Sequence, residues 1–300
     1  MKTNAERIIE LKKDRNAVII AHNYQRAEVQ DIADFVGDSL ELSQKAAQTR
    51  ADVIVFCGVH FMAETASLLN PDKVVLLPDA GAGCPMANMI TAEQLRKLKA
   101  ENPGATVVTY INSSAAVKAE SDYCCTSANG VKVVNSIDAR DIIFVPDQYL
   151  GSFIEKKTGK KMILWPGYCP THVKILPEDI ITLKKQYPKA KVVAHPECRP
   201  DVVALADEAL STSGMIRYAA RPEVKELIVA TEVALIHRLT KENPGKKFIP
   251  ASTRAVCPNM KKTTLEKIVG ALETMQPEVK VPEEIRVRAV ACVSRMLKIG

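Results

Sequence analysis

The chain has 300 residues, of which 47% are hydrophobic and 25% charged, and its 41 Lys and Arg against 35 Asp and Glu give a net charge of +6. This composition is typical of a soluble protein of two or three domains and excludes disordered, collagen-like and coiled-coil proteins. The longest apolar runs, such as 53–59, are too short to span a bilayer. The N-terminus mixes acidic and basic residues without the apolar core of a signal peptide. We therefore expect a cytoplasmic protein that does not enter a membrane.

The first third of the chain predicts three buried strands separated by helices, because its apolar runs are continuous rather than alternating. The runs are 18–24, 53–56 and 74–78. His22 and Tyr24 end the first run, and Ser39 closes a Gly-Asp-Ser sequence before the second. The third run leads into a loop with the pair Cys84-Pro85, after which Thr91 is a predicted helix cap.

The same landmarks follow in the same order twice more. Their apolar runs are 107–112, 142–145 and 162–166, and then 192–197, 227–230 and 247–250. Tyr110 follows His22 by 88 residues, and His195 follows Tyr110 by 85. The same two steps relate Tyr24 to Asn112 and Glu197, and Ser39 to Ser127 and Thr212. The pairs Cys84-Pro85, Cys169-Pro170 and Cys257-Pro258 recur at 85 and 88. In the helices that follow, Pro177 is a predicted first-turn residue and Thr263 a predicted cap. Self-similarity at a fixed period indicates a triplicated unit.

Each unit reads helix, strand, helix, strand, helix, strand. Right-handed crossovers between parallel strands turn such a unit into a small three-layer domain. The sequence therefore predicts an α/β fold of three homologous α/β/α domains, with short parallel sheets around a pseudo-threefold axis. We place the domains at 1–84, 85–169 and 170–257, and expect 258–300 to supply closing helices.

The polar residues of the repeat lie where parallel strands end, and ligands of open parallel sheets bind beyond these carboxyl ends. Under threefold symmetry the equivalent residues face one another across one central site. Cys84, Cys169 and Cys257 then form a ring of three thiolates. A [4Fe–4S] cluster held by three cysteines keeps one iron open as a Lewis acid. Zinc with three cysteines and a water is the rival interpretation, and three inert loop cysteines are the third.

The other repeated positions carry groups for catalysis and anion binding. Tyr24 and Glu197 share one repeat position and are the predicted acid and base. Asn112, the third member, cannot titrate and is expected to bind the substrate by orienting a carboxylate or carbonyl, and Glu197 is expected to contact the substrate as well. His22, Tyr110 and His195 form a neighbouring ring that we expect to bind substrate, although buried core histidines are the alternative. Ser39, Ser127 and Thr212 are predicted to bind anionic groups at helix N-termini, with plain helix capping as the alternative.

The remaining cysteines have weaker claims. Core packing is the expected role of Cys57 and Cys292, and Cys198 is expected to line the site at most. We leave Cys124, Cys125 and Cys198 out of the metal site. The basic residues alternate with acidic ones along helices without interleaved aromatic residues, so we expect no nucleic-acid partner.

Together these residues resemble the quinolinate synthase family. The resemblance extends over nearly the whole chain, in segments that begin at Ala21, Asp31, Gly37, Phe61, Cys84, Tyr110, Thr126, His195 and Cys257. It implies three α/β/α domains around a [4Fe–4S] cluster that Cys84, Cys169 and Cys257 hold with one iron open. It also implies condensation of iminosuccinate with dihydroxyacetone phosphate to quinolinate, with release of phosphate and water, in de novo NAD biosynthesis. L-aspartate oxidase or aspartate dehydrogenase would then supply the iminosuccinate.

The chain departs from the family in one feature that bears on regulation. Some members have a Cys-x-x-Cys sequence at the third ligand, whereas here the second position is Met260, so no thiol switch is expected there. In the third unit either Thr212 or Ser213 could contact the substrate. An aconitase-like iron–sulfur hydro-lyase acting on another small polyanionic acid is the alternative function, and an oxygen sensor without enzymatic activity is a third.

Overall fold

The computed structural model describes residues 2–299 and contains three parallel sheets of four strands each. The first sheet has the order β2-β1-β3-β4. Its strands are β1 Ala17–His22, β2 Phe35–Gly37, β3 Val53–Cys57 and β4 Val74–Leu76. The second sheet contains β5 Thr106–Tyr110, β6 Tyr123–Cys125, β7 Ile142–Val145 and β8 Ile163–Leu164. The third contains β9 Lys191–Ala194, β10 Glu208–Ala209, β11 Glu226–Ala230 and β12 Lys247–Pro250. All three sheets share one strand order.

Helices alternate with these strands along the chain. The helices next to the first sheet are α1 Asn4–Asp14, α2 Ala27–Ile32, α3 Ser39–Gln48 and α4 His60–Leu69. Those of the second are α5 Ala92–Glu101, α6 Ala115–Ala119, α7 Gly130–Asn135 and α8 Gln148–Thr158. Those of the third are α9 Pro177–Gln186, α10 Pro200–Val203, α11 Thr212–Ala219 and α12 Leu235–Glu242, and the chain ends with α13 Leu265–Thr274 and α14 Glu283–Ile299. Two single 3₁₀ turns occur, at Met86–Asn88 and His172–Lys174.

Both faces of the sheets are covered, which explains the continuous apolar runs. In β3, Ile54 and Phe56 pack into the core on one face, whereas Val53 and Val55 pack into the core on the other. A strand whose two faces are both buried cannot alternate polar with apolar residues. The predicted α/β fold of three α/β/α units with short parallel sheets is therefore confirmed.

Each unit has one strand more than the sequence predicts. The extra strands β2, β6 and β10 are two or three residues long and pair with β1, β5 and β9 at the edge of each sheet. Segments of this length give no periodic pattern of their own, and tertiary pairing alone makes them strands. Each of them ends shortly before the residue at the Ser39, Ser127 or Thr212 position.

The last two helices pack on earlier parts of the chain. Ile268 and Leu272 of α13 share a core with Ile8 and Ile19 of the first unit. In α14, Cys292, Val293 and Met296 share a core with Cys124 of the second sheet. No helix within residues 2–299 has the length and apolar character needed to cross a membrane.

Helix caps agree with the sequence at two positions and differ at a third. Thr91 caps α5, where its hydroxyl accepts the N–H of Gln94 at 3.2 Å, and Pro177 is the first residue of α9. The predicted cap at Thr263 is wrong, because Thr264 caps α13 and accepts the N–H of Lys267. Two adjacent threonines offer the same cap, and the sequence alone does not rank them.

Candidate active site

One cavity lies where the first strands of all three sheets end. Twelve of its lining residues are those that the sequence singles out: His22, Tyr24, Ser39, Cys84, Tyr110, Asn112, Ser127, Cys169, His195, Glu197, Thr212 and Cys257. The carboxyl ends of parallel strands present such side chains because each strand stops and the chain turns away. The three units therefore contribute equivalent residues to a single chamber.

The same local hydrogen bond holds His22 and His195 in place. The backbone N–H of Tyr24 donates to Nδ1 of His22 at 3.2 Å, and that of Glu197 donates to Nδ1 of His195 at 3.3 Å. A ring nitrogen that accepts a hydrogen bond carries no proton, so each neutral ring has its proton on Nε2. Burial lowers the pKa of both imidazoles to about 3, which keeps them neutral. Nε2 of His195 donates to Oγ of Ser127 at 3.1 Å.

Glu197 is the buried carboxylate of the chamber, with 4% of its surface exposed. Tyr110 donates its hydroxyl to Oε1 at 2.5 Å, and Asn112 donates Nδ2 to the same oxygen at 3.4 Å. Nδ1 of His172 lies 2.8 Å from Oε2. Burial opposes ionisation, but the nearby His172 and His195 and the hydrogen bonds from His172 and Tyr110 hold the pKa of this carboxyl below its ordinary value. The pKa values of the Tyr24 and Tyr110 phenols are raised well above 10, chiefly by burial and secondly by the negative charge of Glu197.

His172 is a site residue that the sequence reading missed. It is buried beside Glu197, and its ring stacks on that of His195 with centroids 4.8 Å apart. Its Nε2 lies 2.9 Å from Oγ1 of Thr231, and the hydroxyl of Thr231 lies 2.6 Å from that of Tyr24. A continuous row of hydrogen bonds therefore joins Tyr24 to Glu197 through Thr231 and His172. The sequence signal was the spacing Cys169-x-x-His172, which is typical of metal ligands.

Cys169, His172 and Glu197 form a group that could hold a metal ion, since their ligand atoms lie within 4.8 Å of one another. Nδ1 of His172 is 3.1 Å from Sγ of Cys169. The other two repeat cysteines, Cys84 and Cys257, line the same cavity. The three thiols thus face one space together with an imidazole and a carboxylate.

The three Cys-Pro loops place each sulfur in the same environment. Burial raises the pKa of Cys84 to about 12, while backbone groups of Ala87 and Met86 act in the opposite direction. Burial also raises the pKa of Cys169 and Cys257, and backbone groups two and three positions after each cysteine again oppose this rise. Backbone N–H groups directed at a sulfur favour the thiolate, and proline suits the position between them because it has no N–H to leave unpaired. The three thiols therefore have the donor type and surroundings of metal ligands.

The hydroxyls at the third repeat position do not serve as helix caps. Asp38 caps α3 by accepting the N–H groups of Leu40 and Glu41, and Ser211 caps α11 by accepting that of Gly214. Ser39 and Thr212 are consequently the first residues inside their helices, and their hydroxyls line the cavity. Ser127 lies in the loop before α7 rather than at a cap. Asn112 adds a buried Oδ1 that has no hydrogen-bond partner within residues 2–299.

The other cysteines lie outside the chamber. Cys57 and Cys292 are buried in apolar cores as expected, and Sγ of Cys124 lies 2.7 Å from Sγ of Cys292. The expectation that Cys198 could line the site is wrong. Its sulfur donates to the carbonyl of Ala230 at 3.4 Å and packs in the core of the third unit.

The fold and this chamber define an α/β enzyme built from three like units around one reaction space. A family model described as quinolinate synthetase A protein matches residues 6–298. The chain is 63% identical over 295 residues to the quinolinate synthase of Dehalococcoides mccartyi strain CBDB1, covering 98% of each chain. It is 58% identical over 297 residues to that of Geobacter metallireducens, covering 99% of this chain and 98% of the relative. It is 56% identical over 294 residues to quinolinate synthase 1 of Methanosarcina acetivorans, covering 98% and 97%.

The chain belongs to the quinolinate synthase family. The family resemblance and the enzyme class drawn from the sequence are thereby confirmed.

Proposed function

We propose that this enzyme condenses iminosuccinate with dihydroxyacetone phosphate to form quinolinate, phosphate and water, as a step of NAD biosynthesis. The observation that carries the proposal is the convergence of three equivalent thiols, a buried carboxylate and a phenol on one cavity. Thiols of this kind suit a metal centre, and the other two groups suit the proton transfers that a condensation with dehydration requires.

Cys84, Cys169 and Cys257 would hold a [4Fe–4S] cluster. Three protein ligands leave one iron of such a cluster open, and that iron supplies Lewis-acid chemistry toward a carboxylate or hydroxyl. The rest of the chemistry falls to the protein's own side chains. The matched loops around the three thiols support one shared centre over three unrelated cysteines.

Glu197 and Tyr24 would act as the base and the acid. Glu197 can only accept in its ionised form, so His172 donates to it from Nδ1, and a neutral His172 accepts at Nε2 from Thr231. The oxygen of Thr231 is then left to accept from Tyr24. In this arrangement every donor points from Tyr24 towards Glu197, so the row links the acid to the base and can pass a proton from the phenol to the carboxylate.

The chamber also has groups for the charged ends of both substrates. The two substrates together carry two carboxylates and a phosphate. The hydroxyls of Ser39 and Thr212 stand at the N-termini of two helices that face the cavity, a setting that favours anions. Ser127 and His195 offer a further linked pair of polar groups. The unpartnered Oδ1 of Asn112 is a free acceptor for an N–H or O–H of a substrate.

We further propose that the enzyme works in the cytoplasm beside L-aspartate oxidase or aspartate dehydrogenase. Iminosuccinate hydrolyses readily in water, so the enzyme that forms it must act in the same compartment. The eight cysteines are all free thiols, which fits a reducing environment.

The test is to purify the protein without oxygen, measure iron and sulfide, and assay quinolinate from the two substrates. We expect brown protein with an electron paramagnetic resonance signal after reduction. A colourless, zinc-loaded protein that makes no quinolinate would contradict the proposal. Turnover of a single acid without the triose phosphate would instead favour the hydro-lyase.

The ligand assignment is tested separately by single Cys→Ser substitutions. Cys84→Ser, Cys169→Ser and Cys257→Ser should each lose most of the iron and activity. Cys57→Ser and Cys292→Ser are the matched controls, because both thiols are buried and neither lines the cavity, and these variants should stay brown. Equal iron content in all five variants would refute the assignment.

A further inference from the structure

One charged side chain reaches from outside the chamber into the junction between the first and third units. Arg238 on α12 donates from Nη1 to Oδ1 of Asn23 at 2.8 Å and to the carbonyl of Val36 at 2.7 Å. Its Nε donates to Glu242 at 2.6 Å. Asn23 is fully buried and follows directly after β1. Neither Arg238 nor Asn23 lines the cavity, so the reaction described above gives them no role.

The guanidinium determines how the Asn23 amide is oriented. Arginine has only donors, so the amide atom that faces it must be the oxygen. The Nδ2 group of Asn23 therefore points the other way, where it donates to Oγ1 of Thr212 at 2.8 Å. In this row of hydrogen bonds each residue therefore donates to the next, from Arg238 to Asn23 and from Asn23 to Thr212 at the chamber.

This direction decides what Thr212 can offer a substrate. Its oxygen accepts from Asn23, the one hydrogen-bond partner that it has within residues 2–299. Ser211 rather than Thr212 caps α11, so the hydroxyl proton of Thr212 is not used by the helix. That proton is free to be donated into the cavity that Thr212 lines. With the amide reversed, the hydroxyl would donate to Asn23 and present only lone pairs to an anion.

We infer that Arg238 is a positioning residue for substrate binding, which acts through Asn23 to keep the Thr212 hydroxyl a donor toward an anionic group of a substrate. The inference rests on the proposed function, because that function makes Thr212 a contact of a carboxylate or phosphate. The binding site then includes Arg238 and Asn23, although neither residue lines the chamber.

Asn23→Asp separates this role from a merely structural one. Aspartate keeps the shape of asparagine and pairs with Arg238, but it offers Thr212 only acceptors. The Thr212 hydroxyl must then donate to Asp, away from the substrate. We expect KM for at least one of the two substrates to rise about tenfold, the loss of one hydrogen bond to a charged group, with kcat changed less than about twofold. The melting temperature should not fall, since the variant gains an ion pair.

Arg238→Met removes the orienting group, and Lys241→Met is its matched control. Lys241 lies on the same helix and pairs with Asp31 of the first unit at 2.5 Å, without contact to Asn23. All variants are assayed as cluster-loaded enzyme of equal iron content. Arg238→Met should raise the same KM as Asn23→Asp, and Lys241→Met should leave it unchanged. In a Thr212→Ala background, Arg238→Met should raise KM no further.

An unchanged KM in Asn23→Asp, or an equal rise from Arg238→Met with and without Thr212, would overturn the inference. These results are distinct from failure of the proposed function, which would appear as wild-type protein that is loaded with cluster and makes no quinolinate.

Discussion

Replacing Glu197 with glutamine removes one negative charge from the centre of the chamber and almost nothing else. Glutamine has the same length, and the pocket that Tyr110, Asn112 and His172 form around the carboxylate has room for it. An amide cannot take up a proton at neutral pH, and it presents one acceptor oxygen where the carboxylate presents two. His172 or Tyr110 therefore loses its acceptor.

Two quantities follow from this substitution. A lost general base lowers turnover by at least about 10²-fold, which corresponds to about 2.7 kcal/mol in the activation barrier. The lost hydrogen bond to a charged group is worth about 2 kcal/mol of folding stability, and it is partly offset because a buried amide is easier to desolvate than a carboxylate. We expect a folded enzyme with its full cluster and a much lower kcat.

The assay measures initial rates of quinolinate formation without oxygen, beside the iron content and substrate affinity of the same preparation. Glu120→Gln is the matched control. Glu120 is 8% exposed and carries two arginine contacts, to Arg96 and Arg288, both at 2.8 Å, but it does not line the cavity. Its substitution should cost stability and leave kcat unchanged. If Glu197→Gln turned over at the wild-type rate with an intact cluster, the acid–base role of Glu197 would be wrong.

Three further outcomes are expected. Tyr24→Phe breaks the row of hydrogen bonds at Thr231 and should lose at least about 10²-fold in kcat with iron retained; normal turnover would show that the phenol gives no proton. Ser127→Ala removes the partner of His195 and should mainly raise KM; steady-state kinetics with a fall in kcat alone would contradict a binding role. Gly167→Ala should destabilise the fold by about 1–3 kcal/mol in a denaturant titration, because its Cβ would lie 2.3 Å from the carbonyl of Pro146. Gly270→Ala, where nothing lies within 4 Å of the new Cβ, should be neutral or stabilising by up to about 1 kcal/mol, and equal losses in both would argue against overpacking.

The sequence predicts those site residues that keep a polar side chain in all three repeats. The offsets of 88 and 85 align Tyr24, Asn112 and Glu197, and the structure brings them into one cavity. The repeat does not predict His172. The Cys-Pro loops recur at steps of 85 and 88 residues, and these steps place Ala87 and Met260 at the position of His172. Neither residue shares its chemistry.

The sequence does not predict Thr231 or the edge strands, for related reasons. The equivalents of Thr231 are Pro146 and Gly58, which share no chemistry with it. Its importance comes only from its distances to Tyr24 and His172, and distances across units are not written in any local pattern. The strands β2, β6 and β10 exist because a neighbouring strand offers them a partner, and their own residues are too few to favour a strand.

The threefold repeat gives this enzyme symmetry in one layer of the chamber and asymmetry in the next. The three Cys-Pro turns have kept their identity, whereas the ring beside them has diverged into a phenol, an amide and a carboxylate. A reaction that joins two unlike molecules requires different side chains on different sides of the chamber. A set of ligands for one metal centre requires identical side chains on all sides. Three like units with different side chains meet both requirements, because a substitution in one unit changes one side of the chamber and leaves the Cys-Pro turns of the other two in place.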